Sequence, residues 1–139
     1  HIQLIGRVIV KGPAIIDLKN GQLMINGDPV TRTAIKPFFP TDRLQKAGYP
    51  PHVAQMRETL PNGKSHRIIK LLGEVGLYDI SGPIAVPEKT VFILHDNRDR
   101  AFDSRIFGPV PFQNILGEPH FFTAPAERFG DPLRGDDHP

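Results

Sequence analysis

Apolar positions along this chain come in short β-branched runs cut by glycine, proline and asparagine. Residues 2–10 are rich in isoleucine and valine and follow no helix-capping residue, which predicts a strand, broken by Lys11-Gly12-Pro13. Residues 15–18 predict a second strand and residues 22–26 a third, closed by Asn20-Gly21 and Asn26-Gly27. Both turn residues accept the positive φ of tight hairpin turns, so this region reads as a hairpin. Residues 37–51, with four prolines and one glycine, read as a loop. A helical turn over 41–46 fits there, with Thr41-Asp42 as its cap. Residues 53–59 and 65–71 flank Leu60-Pro61-Asn62-Gly63-Lys64 and predict another hairpin. Residues 73–83 read as a loop, 84–86 and 90–94 as strands, and 110–116 as a short turn and strand. From Pro125 onward the sequence turns to proline, glycine and charge. The expected organisation is one β domain over 1–124 and a disordered tail over 125–139.

Composition sharpens this picture. The 139 residues fit one domain, and 15 prolines with 13 glycines argue against a helix bundle. The predicted fold class is mostly β, an antiparallel sheet domain with hairpins and little helix. Lysine plus arginine exceed aspartate plus glutamate by only two, so no basic stripe points to nucleic acid. No apolar run approaches the roughly 20 residues of a membrane helix. A chain that opens at His1 without a leader reads as processed or truncated. With no cysteine there is neither a disulfide framework nor a thiolate metal site.

Residues 86–117 hold the candidate chemistry. An apolar strand runs into His95-Asp96-Asn97-Arg98-Asp99-Arg100-Ala101-Phe102-Asp103-Ser104-Arg105, where charges of opposite sign alternate. On composition alone this is a solvated turn held by Asp–Arg pairs. The order of residues says more. It resembles the signature of bacterial type I signal peptidases, Gly-Asp-Asn-Arg-Asp-Asn-Ser-x-Asp-Ser-Arg followed by Gly-x-Val-Pro-x-x-x-Ile-x-Gly. Asp96, Asn97, Arg98, Asp99, Asp103, Ser104 and Arg105 match the first block; Gly108, Val110, Pro111, Ile115 and Gly117 match the second. Upstream, Arg7-Val8-Ile9, Lys19-Asn20-Gly21 and Ile25-Asn26-Gly27 resemble the segment around the family's catalytic lysine, and Arg57-Glu58-Thr59-Leu60-Pro61-Asn62-Gly63 resembles a hairpin of several members.

The resemblance implies a β-fold and a serine–lysine peptidase that removes signal peptides from exported proteins at the extracytoplasmic face of a bacterial membrane, without cofactor or metal. A serine hydroxyl needs a base within hydrogen-bond reach, and lysine serves only when burial destabilises its ammonium. Here the family's lysine position is Gly6, and the serine that orients the amine falls at Ala101. Arg100 stands for an asparagine and His95 for the glycine that opens the block. Lys11 is the nearest lysine, but in a continuous strand its odd offset from Gly6 turns it to the other face. The family's Ser-Met-x-Pro segment, expected upstream, does not occur in these residues, and Ser65, Ser81 and Ser104 have no evident partner. No catalytic residue is identified. His52, His66, His95 and His120 share no ligand spacing, so no metal site is predicted. Phe121-Phe122 reads as core or a docking edge.

Three functions compete. The first is a signal-peptidase-like domain that has lost catalysis and acts as a scaffold or binding module. The second is part of a working signal or conjugative-transfer-type peptidase whose serine lies outside this chain. The third is an assembly subunit of a membrane complex, docking through exposed sheet edges. Signal peptides or exported proteins are the implied partners, with no nucleic acid.

Overall fold

The computed structural model describes residues 3–71, 81–99 and 101–118. Among these residues ten strands, two short α-helices and a 3-10 turn follow in order: β1 (Arg7–Lys11), β2 (Ala14–Lys19), β3 (Gln22–Ile25), β4 (Asp28–Pro29), β5 (Thr31–Phe38), α1 (Asp42–Lys46), β6 (Val53–Thr59), β7 (Ser65–Lys70), β8 (Ser81–Val86), β9 (Thr90–Leu94), α2 (Ser104–Phe107), β10 (Val110–Pro111) and the 3-10 turn (Phe112–Asn114). They form three sheets, ordered β1-β9-β10, β4-β3-β2-β8 and β5-β6-β7, with every strand pair antiparallel. The chain is mostly antiparallel β, as its turn residues require.

The hairpins form where asparagine and glycine stand. Asn20 and Gly21 adopt φ of 50° and 78° between β2 and β3, and Asn26 and Gly27 adopt 50° and 85° before β4. Asn26 adds a side-chain bond, its Oδ1 accepting from the Ile15 amide at 2.9 Å. β2 shows the period-2 alternation of a half-buried strand, with Ala14, Ile16 and Leu18 inward. These residues join Ile9, Leu23, Ile25, Val30, Leu60, Val86, Phe92 and Leu94 in one core.

Four local expectations differ from the structure. The first strand starts at Arg7 and runs through Lys11, and residues 3–6 lie outside it. Thr41 sits at the N-cap of α1 but makes no side-chain cap bond. β5 occupies Thr31–Phe38, so it enters the predicted loop, and β8 begins at Ser81, inside the other one. Tail residues 125–139 and Phe121-Phe122 lie outside the described residues.

Candidate active site

β1 and β9 carry the frame of the site. Their register pairs Arg7 with Leu94 and Val8 with Ile93, then slips so that Val10 faces Phe92 and Lys11 faces Val91. The slip removes the premise of a continuous strand from Gly6 to Lys11. Lys11 itself is exposed at the end of β1, and a lysine base is one whose ammonium is destabilised by burial.

The signature residues converge on the segment that follows β9. Arg7 Nε and Nη2 donate to Asp96 Oδ1 and Oδ2, both at 2.8 Å, a bidentate pair that ties β1 to residue 96. Asp103 has no exposed surface. Its Oδ1 accepts from the Arg105 amide at 3.1 Å and from Arg105 Nε at 3.0 Å. Its Oδ2 accepts from Arg105 Nη2 at 2.9 Å and from the His95 amide at 3.1 Å. Asp103 thus caps α2 and closes the loop against the end of β9. Ser104 is buried too, its Oγ accepting from the Ile93 amide at 2.9 Å. That oxygen is committed to the backbone of β9, which is a structural role.

Arg98 reaches the other way, into the β5-β6-β7 sheet. Its Nε donates to the His95 carbonyl at 2.8 Å, and its Nη1 and Nη2 donate to the two oxygens of Glu58, Nη1 at 3.1 Å. Glu58 on β6 is fully buried, and it also holds Arg32 Nε of β5 and His66 Nε2 of β7, each at 3.0 Å. Burial pushes the Glu58 carboxyl up. The charge of Arg98, hydrogen bonds from His66 and Arg98, and the charge of Arg32 outweigh it and hold the group well below its ordinary range. Asp99 makes a second buried pair: its Oδ1 accepts from Lys70 Nζ at 3.0 Å and its Oδ2 from the Leu71 amide. Asn97 Nδ2 donates to the Tyr49 hydroxyl at 3.1 Å.

The sequence pattern picked out Asp96 through Arg105 but gave no role to Glu58, Arg32, His66 or Lys70. Glu58 stood in the quoted hairpin; Arg32 on β5 and Arg98 in the loop after β9 lie 26 and 40 residues away in sequence, which local pattern does not reveal. Lys70 is the buried lysine of the described residues, and its amine is engaged by Asp99. Gly6 carries no side chain, and Ala101 carries only a methyl group. Arg100 lies outside the described residues. The described bonds of His95 run through its backbone. Among the described residues no cluster of histidine and carboxylates could hold a metal. An open apolar depression lined by Pro13, Ala14, Ile15, Asn26, Ala85, Val86 and Pro87 contains none of the signature residues.

A family model described as signal peptidase, peptidase S26, matches residues 1–123. The chain belongs to the signal peptidase S26 family. It is 34% identical over 112 residues to a signal peptidase I of Rickettsia typhi, an overlap of 76% of this chain and 40% of that protein. It is 33% identical over 117 residues to a signal peptidase I V of Bacillus subtilis, covering 84% of this chain and 55% of the relative. With a signal peptidase I of Rickettsia bellii it shares 41% identity over 73 residues, 48% of this chain and 25% of that one. The chain thus spans about two fifths of the length of the first of these relatives. Within this family member the Asp103–Arg105 and Glu58–Arg98 pairs are both buried and hydrogen-bonded.

Proposed function

We propose that this chain is the extracytoplasmic domain of a bacterial signal-peptidase-type membrane protein that has kept the family's framework and lost its serine–lysine chemistry. Its role is then that of a scaffold or binding module for exported polypeptides. One observation carries the reading: the loop is braced on every side by paired signature residues, while position 6 carries no amine. A peptidase of this kind needs nucleophile, desolvated amine and oxyanion donors in one geometry. Neither alternative lysine supplies the amine, because Lys11 is exposed and Lys70 is bound to Asp99. The membrane placement in this proposal rests on family membership. Among the described residues no helix is long and apolar enough to cross a bilayer.

The test is to incubate the chain with precursors bearing signal peptides, and to titrate a fluorescent signal peptide in parallel. Binding without turnover is the expected result. Turnover that disappears on Lys11→Ala or Lys70→Met overturns it.

A second reading rests on the 40% coverage of the Rickettsia typhi relative. A longer protein has room for a serine segment, and this chain would then be the C-terminal part of a peptidase with an unusual base. A longer product that cleaves while Gly6 is unchanged would favour that reading over the first.

A further inference from the structure

Gly6 is not merely a missing lysine. Extending the β1–β9 register by one step sets position 6 opposite His95, which puts it diagonal to Ile93 on the same face of the pair. A Cβ built on Gly6 would stand 2.2 Å from Ile93 Cγ2 and 3.7 Å from Ile93 Cβ. The first distance is far inside van der Waals contact, so the Ile93 methyl occupies the place where any side chain at position 6 would begin. Gly6 is also not one of the glycines with positive φ, so its backbone would accept an L-residue. The obstacle is the neighbour, not the conformation.

Ile93 can withdraw its methyl only by changing rotamer. It is β-branched, with two heavy atoms on Cβ, so only one of its three staggered χ1 rotamers turns a hydrogen toward Gly6. Its amide is held by Ser104 Oγ at 2.9 Å, and Ser104 opens α2. The strand that carries the blocking methyl is therefore fastened to the signature loop.

We infer that Gly6 and Ile93 form one steric unit, in which the Ile93 methyl fills the Cβ position of residue 6 and closes it to every side chain. The inference deepens the non-catalytic reading: loss of the amine is built into two positions, and replacing Gly6 with lysine alone cannot restore it. The unit itself is a packing claim that holds or fails whether or not the protein cleaves peptides.

A thermal double-mutant cycle on this chain tests it, with Gly6→Ala, Ile93→Ala and the pair. At an unstrained, open position Gly→Ala raises stability by restricting the unfolded chain. Here Gly6→Ala should instead lower the Tm by about 3–10 °C, as overpacking does in a domain of this size. Once Ile93→Ala has removed Cγ2, adding Gly6→Ala should lower the Tm by no more than about 1 °C, or raise it. A Gly6→Ala chain that fails to fold but is rescued by Ile93→Ala supports the unit equally. Equal losses in both backgrounds, failure to fold in both, or a Gly6→Ala chain as stable as the parent overturns it. The Tm does not depend on turnover, so a cleavage result that defeats the non-catalytic reading leaves this one standing or falling on its own.

Discussion

Asp103 has no exposed surface, yet both its oxygens are satisfied by Arg105 and by the His95 amide. Removing its carboxylate takes from the Arg105 guanidinium, whose side chain is only 2% exposed, both of its bonds to Asp103. Breaking a buried pair on one side destabilises by about 3–5 kcal/mol, since the remaining buried charge loses its ion-pair compensation. Asp103→Ala should lose about that much in urea unfolding, while Asp28→Ala, at an exposed position, should stay within about 0.5 kcal/mol of the parent. Matching midpoints for the two variants would refute the bracing role. This pair was legible in the sequence, because Asp103 and Arg105 lie two residues apart within a recognisable block. The partners of Arg98 were not, since a buried Glu58 reads like any surface glutamate until β5, β6 and β7 are placed side by side.

At the scale of the element, turn residues did most of the prediction. Asn20-Gly21, Asn26-Gly27 and Asn62-Gly63 each stand at a reversal of the chain, with Gly63 at φ 86°. Gly27→Ala tests this directly: nothing lies within 4 Å of its added Cβ, so the change reports only the φ of 85°. Forcing a side chain into that region costs about 1–2 kcal/mol. Gly82→Ala, equally open but without positive φ, should be neutral or slightly stabilising, so equal loss at both sites would contradict the argument. β5 escaped the sequence reading for a physical reason. It has no buried residue and no clean alternation, and Pro37 lies within its register shift between Ile35 and Phe38. A strand held by backbone pairing to β6, with a proline at its irregularity, leaves little hydrophobic pattern to read.

Across the whole molecule, Glu58 is one of the points where the β5-β6-β7 sheet grips the signature loop. Its carboxyl titrates well below the ordinary 4.5 when folded, because Arg98, His66 and Arg32 surround it. A lowered folded pKa gives stability that is complete above the ordinary value and is lost as pH falls toward the folded one. The parent should therefore lose stability below about pH 4.5 more steeply than Glu58→Gln, by up to about 1.4 kcal/mol per pH unit for the one proton involved. Parallel acid limbs for the two proteins would show that Glu58 is not the linkage site.

The backbone of Ile69 on β7 has a consequence of its own. Its amide donates to the Asp96 carbonyl at 2.9 Å, and its carbonyl accepts from the Arg98 amide at 3.2 Å. These bonds make a parallel bridge from β7 to Asn97, so the chain leaving β9 is sewn to a sheet that otherwise pairs only within itself. A loop of this kind has no private opening: freeing it means peeling it from β7. In native-state hydrogen exchange the amides of Ile69 and Arg98 should open with nearly the same free energy as that of Phe92 in the core. Where active-site loops are usually drawn from the least stable part of a fold, this one would belong to its slowest-exchanging unit.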